Sequence, residues 1–207
     1  MRKIFCLVCL LPGLAVAQYK TSIGIKLLPG VTNTYLLTQD PGFSRFALSG
    51  GVELRHRLYK NLYVDAGLIC FDRGFRHRYN RVDTNGMPLG KYDYRASYLS
   101  LTLPVSLVYK MDGFYLGAGS GISYIIRSRE HLNGSLQSRE FPKGWDKMAF
   151  TAQCFAGYEY MLNRRLILSA EVFYSIRLGK DFHNYGLGIG LHYIPGKFHE
   201  VKTHPFR

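Results

Sequence analysis

The stretch Ala96 to Arg127, ASYLSLTLPVSLVYK-MDG-FYLGAGSGISYIIR, constrains the fold of this chain more than any other. Leu99, Leu101, Leu103, Val105, Leu107 and Tyr109 alternate with Ser100, Thr102, Pro104, Ser106 and Lys110. Successive side chains leave opposite faces of a pleated strand, so strict period two predicts a strand with one apolar face. The second arm repeats the pattern: Phe114, Leu116, Ala118, Ile122, Tyr124 and Ile126 stand against Gly117, Gly119, Gly121 and Ser123. Asp112-Gly113 between the arms supplies the positive-φ residues of a tight hairpin turn. Each arm is far longer than the usual five or six residues of a strand in a soluble domain. Two such arms predict a sheet that crosses a membrane.

The ends of the chain agree. Residues 1–17, MRKIFCLVCLLPGLAVA, combine a basic start (Arg2, Lys3), an apolar run from Ile4 to Leu14 and the cleavage pattern Ala15-Val16-Ala17. This reads as a secretory signal peptide cut after Ala17. Neither Cys6 nor Cys9 has a lipoprotein context. Removal of Arg2 and Lys3 lowers the formal charge from +13 to +11. No later segment is apolar for long enough to be a membrane helix. A bilayer leaves no backbone polar group unpaired, so the remaining route across it is a closed barrel. Cys70 and Cys154 fall on apolar strand faces and read as small hydrophobes.

Taken in order, eight alternating segments emerge. They are Tyr19–Leu28, Ser44–Leu58, Leu62–Arg73, Ala96–Lys110, Phe114–Arg127, Phe150–Tyr160, Leu166–Arg177 and His183–Tyr193. Pro29-Gly30 is expected to end the first. Tight turns are predicted at Tyr59-Lys60-Asn61, Asp112-Gly113 and Asn163-Arg164, and long polar loops at Gly74–Arg95 and Ser128–Asp146. Connections alternating short and long are the signature of an outer-membrane barrel. The expected fold is therefore all-β, an eight-stranded antiparallel up-and-down transmembrane β-barrel over residues 18–194, followed by a periplasmic C-terminal tail, 195–207. Aromatics sort into two belts, one of Tyr19, Tyr109, Phe114, Tyr158, Tyr160 and Tyr193, the other of Phe46, Tyr124, Phe150, Tyr174 and Tyr185. The competing arrangement is a soluble barrel with the same alternation and its apolar face inside.

Tyr98-Leu99-Ser100-Leu101-Thr102-Leu103-Pro104-Val105 followed by Tyr115-Leu116-Gly117-Ala118-Gly119 resembles the small outer-membrane β-barrel family of Bacteroidota, the PorT-like proteins. The closing run Gly188-Ile189-Gly190-Leu191-His192-Tyr193 resembles the terminal-strand signal read by barrel-insertion machinery. The resemblance implies a Gram-negative outer-membrane location, a porin-like architecture and, in one branch, a link to protein secretion. The family usually ends at that aromatic, whereas fourteen residues follow Tyr193 here.

Two sets of residues are candidates for function. On the polar face, Lys26, Glu53, Arg55, Asp65, Gln153, Glu159, Glu171 and Arg177 are expected to form a neutralising network that fills the interior. Around the outer rim, Arg73, Arg76, Arg78, Arg127, Arg129 and Lys147 are candidates for binding glycolipid phosphates, with Arg81, Lys91, Arg95, Arg139 and Lys143 nearby. Expected partners are outer-membrane lipid and lipopolysaccharide, the insertion machinery during biogenesis and an unidentified protein complex bound through the loops or tail. Nucleic acid is not expected, since the basic residues flank membrane strands without a recognition motif. The expected function is non-enzymatic, with no catalytic residue, cofactor or metal. The alternatives are a lipid-modifying barrel enzyme, to which Ser128 and His131 would have to belong, and a narrow ion channel.

Overall fold

The computed structural model describes residues 20–34, 44–82, 88–133, 135–138, 146–179 and 182–195. Residues 1–17, expected to be a signal peptide, and nearly all of the expected tail, from 196 on, lie outside the described residues. Among the described residues nine strands form, all antiparallel: β1 (Thr21–Thr34), β2 (Arg45–Tyr59), β3 (Leu62–Val82), β4 (Pro88–Met111), β5 (Phe114–Leu132), β6 (Ser135–Ser138), β7 (Met148–Asn163), β8 (Leu166–Arg177) and β9 (Phe182–Tyr193). Eight of them close on themselves in the order β4-β3-β2-β1-β9-β8-β7-β5, with β5 pairing back onto β4. The short β6 adds to the upper part of β5 outside the ring. The chain is thus a closed eight-stranded antiparallel β-barrel.

Local chemistry sets the tight end. Asp112 and Gly113 take φ of 47° and 91°, the hairpin geometry their side chains announce. Lys60 turns with φ 32°. Asn163 Oδ1 accepts from the main-chain N–H of Arg165 and Leu166 at 2.8 and 2.9 Å, an Asx turn that joins β7 to β8. Closure occurs between β1 and β9, where Gly30 lies opposite Gly186. A Cβ on Gly186 would meet Gly30 Cα at 2.4 Å, so only a pair of glycines fits this seam. The strand consequently runs through Pro29-Gly30 to Thr34, correcting the expectation of a break there.

The long loops are also corrected. Arg73 to Val82 pairs residue by residue with Tyr98 to Pro88, so the segment read as a loop from Gly74 to Arg95 is a two-stranded extension of the barrel wall. Part of the second loop is strand as well, the top of β5 and β6. At the base of the β3–β4 ribbon Phe75 and Tyr94 pack against Ala96 and Tyr98, while the sequence beyond lacks the strict apolar alternation of the wall below, which is why it reads as a loop.

The soluble alternative is resolved by which face lies inside. Leu27, Leu48, Leu103, Leu116 and Leu187 are 54–61% exposed on the outer wall, whereas Arg55 and Arg73 are 0% exposed within. A barrel that is apolar outside and charged inside faces hydrocarbon. Phe46, Tyr124, Phe150, Tyr174 and Tyr185 crown the loop end, and Tyr109, Phe114, Tyr160 and Tyr193 ring the turn end, all exposed. Tyr158 sits half-buried against Phe114, ring centroids 4.9 Å apart. Tyr19 lies outside the described residues. From Phe114 to Tyr124 the strand climbs ten residues. At about 3.4 Å per residue and roughly 40° of tilt this spans about 26 Å, the height of an outer-membrane apolar band.

Candidate functional site: a charged lumen and a basic outer wall

The lumen fills from residues that alternation turned inward. In its lower and middle part, Arg55 is the hub. It faces Asp65 directly across β2 and β3, donating from Nε to Oδ1 at 2.5 Å and from Nη2 to Oδ2 at 2.6 Å. Its Nη1 bonds Glu159 Oε1. Glu159 takes a second cation, Lys110 Nζ, at 2.6 Å. Higher up, Lys26 Nζ lies 2.6 Å from Glu53 and 3.2 Å from Glu171. Tyr115 donates to Glu171 at 2.8 Å, and His192 Nε2 stands 3.1 Å from Glu53 and 3.2 Å from Ser169 Oγ. Taking either partner of such a buried pair away strands the other charge in low dielectric, and Lys26, Arg55 and Lys110 each keep a carboxylate beside them.

Glycines make the room. A Cβ on Gly117 would lie 2.3 Å from the Phe155 ring, and one on Gly24 would lie 2.6 Å from His192. Beneath the network, Tyr63, Val108, Tyr115, Phe155, Ile167 and Ile194 pack as an apolar floor. Above it, Leu28, Ile69 and Phe71 pack with Phe173. A cavity of about 20 Å³ lies among Lys26, Glu53, Asp65, Gln153 and Glu171, room for roughly one water molecule. Gln153 itself donates to Ser106 at 2.8 Å.

Six of the expected network members, Lys26, Glu53, Arg55, Asp65, Glu159 and Glu171, meet here. Arg177 does not. It lies at the loop end of β8, donating to the Asp146 carbonyl at 2.5 Å. Lys110 and His192 join the six, each turned inward by parity, and their partners depend on register, which sequence leaves open. Tyr115 was the real omission, although its parity, opposite Leu116, already turned it inward.

The rim divides differently. Arg73 is corrected: it is wholly buried in the lumen, over the Phe71 ring at 4.7 Å, and is no part of the exposed outer rim. Position 73 shares the face of Ile69 and Phe71, so its parity already pointed inward. Arg127, Arg129 and Lys147 are exposed on the outer wall just past Tyr124. A bulge opposite Leu99 and Ser100 inserts an extra residue into β5, so that Ile126 and Arg127 are both exposed while Ser128 turns inward. Register then sets Arg129 opposite Ser97 and His131 opposite Arg95. Lys147 is tied beside them by the Ile125 N–H, which donates to its carbonyl at 2.9 Å. Arg76 and Arg95 face one another across β3 and β4 and share Asp93, at 2.6 and 2.8 Å to the same oxygen. The two guanidiniums hold the Asp93 carboxyl well below the usual carboxylate range. Arg78 pairs with Asp93 through the backbone, and Arg139 and Lys143 lie outside the described residues.

No family model matches the chain, and no curated protein matches it. Solved structures do. Neisserial surface protein A is 12% identical with a TM-score of 0.49, covering 84% of this chain and 96% of its own. Ail, the attachment invasion locus protein of Yersinia pestis, is 16% identical with a TM-score of 0.43, covering 85% and 99%. The outer membrane protein OprG of Pseudomonas aeruginosa is 13% identical with a TM-score of 0.39, covering 86% and 98%.

Proposed function

We propose that this chain is a non-enzymatic integral outer-membrane barrel that grips the phosphates of anionic glycolipid on one side of its outer wall. The observation that carries this reading is the placement of Arg127, Arg129 and Lys147, exposed immediately above the aromatic belt at Tyr124 and Phe150. That is the depth at which outer-leaflet headgroup phosphates sit, where guanidinium forks bind them by charge-assisted hydrogen bonds. Arg76 and Arg95 extend the patch upward, and their shared Asp93 leaves one positive charge in excess.

The filled lumen weighs against a channel, and the Ser128 hydroxyl, buried without a partner, weighs against a rim nucleophile. The likeness of Tyr98–Val105 and Tyr115–Gly119 to PorT-like barrels supports a Bacteroidota origin, export by the 1–17 signal and insertion through the terminal strand. The test is binding of the vesicle-reconstituted barrel to bis-phosphorylated and dephosphorylated lipid A. Preference for the phosphorylated form is expected, falling about fivefold for each of Arg127→Gln and Arg129→Gln. Equal affinity for the two lipids refutes the reading, and binding of a protein partner instead would assign the patch to a complex.

A further inference from the structure

Above the apolar layer of Leu28, Ile69 and Phe71, the lumen holds two more arginines, remote from the outer wall. Arg73 is 0% exposed and Arg177 1% exposed. The first comes from β3 and reaches across the barrel to β8 and β9. Its Nη1 lies 3.4 Å from the Phe182 carbonyl and its Nη2 3.4 Å from Ser175 Oγ, at the long limit of hydrogen bonding. Ser175 is two residues before Arg177 on the same face of β8, which brings the two guanidiniums into one compartment. Neither forms an ion pair among the described residues, and the Nε of each is buried without a partner. This contrasts with the network below, where every cation meets a carboxylate. Directly across from Ser175 lies Asn184, 3% exposed, whose Oδ1 is also unpartnered. Turning that amide over would present two further donors.

Arg177 donates to the Asp146 carbonyl and has that residue's carboxylate nearby, whereas Arg73 faces only Arg177 and no carboxylate among the described residues, and a buried cation without a paired counter-charge is very costly. The compartment offers donors in abundance, two guanidinium forks, a hydroxyl and an amide, and it lies on the loop side of the barrel. We infer that Arg73, Arg177, Ser175 and Asn184 form a buried site for a phosphate-class oxyanion, drawn either from solution or from a lipid headgroup. Planar N–H forks match the oxygens of such an anion, and the bound charge supplies the ion pair that neither arginine makes among the described residues. The site shares no residue with the outer-wall patch, so the two readings stand or fall separately.

The experiment is thermal unfolding of the full mature barrel, refolded in phosphate-free detergent, with heat-modifiable gel migration confirming that each variant is closed. Inorganic phosphate is titrated at constant ionic strength, and short-chain phosphatidate is titrated in a second arm. A saturable rise of roughly 5–10 °C at a hundredfold excess over Kd is expected. A rise with inorganic phosphate assigns a free anion, and a rise with phosphatidate alone assigns a headgroup. The rise should vanish in Arg73→Gln and Arg177→Gln and be weakened in Arg73→Lys, which keeps the charge. Without phosphate, Arg73→Gln should be at least as stable as the parent, because it deletes an unpaired charge. The inference is overturned if neither anion gives a saturable shift, if the shift survives in both glutamine variants, or if Arg73→Gln is less stable in phosphate-free buffer. It is equally overturned if Asp146→Asn destabilises the phosphate-free barrel as the loss of a buried ion pair does and leaves no phosphate-dependent shift, since the counter-charge would then belong to the chain.

Discussion

Arg55 and Asp65 stand directly opposite each other on β2 and β3 and meet through two hydrogen bonds of 2.5 and 2.6 Å in the lumen. Glu159 approaches the same guanidinium from β7, so this one side chain ties neighbouring strands to a distant one. Replacing Asp65 by Asn should therefore cost about 3–5 kcal/mol, the range for stranding a buried charge. Urea unfolding of the refolded barrel measures it, and a loss below about 1 kcal/mol would mean that the network carries little of the stability.

The outer wall gives the opposite sensitivity. Leu103 is 59% exposed in the middle of the band. In a bilayer, Leu103→Arg should destabilise by about 2–4 kcal/mol, as charged residues do on the lipid face of a barrel. In a protein whose outer wall faced water it would be near neutral, so folding yield into vesicles separates the two cases.

Closure at the seam should be intolerant of a single methyl group. At Gly186 a Cβ would lie 2.4 Å from both Gly30 Cα and the Pro29 carbonyl, backbone atoms that cannot step aside cheaply. Gly186→Ala should weaken the β1–β9 pairing and reduce the heat-modifiable fraction on a gel. At Gly117 the obstacle is instead the Phe155 ring, a side chain, so Gly117→Ala should cost less, about 1–3 kcal/mol.

The extramembrane ribbon carries a pH prediction. Asp93 has a folded-state pKa below its unfolded value because Arg76 and Arg95 both donate to it. A depressed carboxylate stabilises above its unfolded pKa and loses that contribution as pH falls through the folded value. The β3–β4 ribbon should therefore stay paired below the ordinary carboxylate range. An NMR titration of the Asp93 carboxyl should give a midpoint below 3.8, and a midpoint at or above that value would dissolve the clamp.

Much of this was readable before any coordinates. Period two turned Lys26, Glu53, Arg55, Asp65, Glu159 and Glu171 to one face because strand geometry leaves a side chain only two directions. The aromatic belts followed from the same parity and the positions of the turns. What period two does not carry is register across strands, so the partners within the network, Lys110 with Glu159 and His192 with Glu53, stayed hidden. It also fails at an inserted residue, as at Ile126, and in the β3–β4 ribbon, where Arg76, Asp93 and Arg95 interrupt the apolar alternation of the wall below. Arg73 shows a different lapse. Its neighbourhood of arginines suggested the rim, while its own parity pointed to the lumen, and the fold obeyed parity.

The orientation of the wall is the central claim, and spin labels placed singly from Leu101 to Val108 of the vesicle-embedded barrel test it most directly. Labels at Leu101, Leu103, Val105 and Leu107 should collide readily with oxygen dissolved in the bilayer, and labels at Thr102, Pro104 and Ser106 should be shielded from both oxygen and a water-soluble relaxant. Accessibility of the leucine face to the water-soluble relaxant, with no period of two in the oxygen profile, would contradict it.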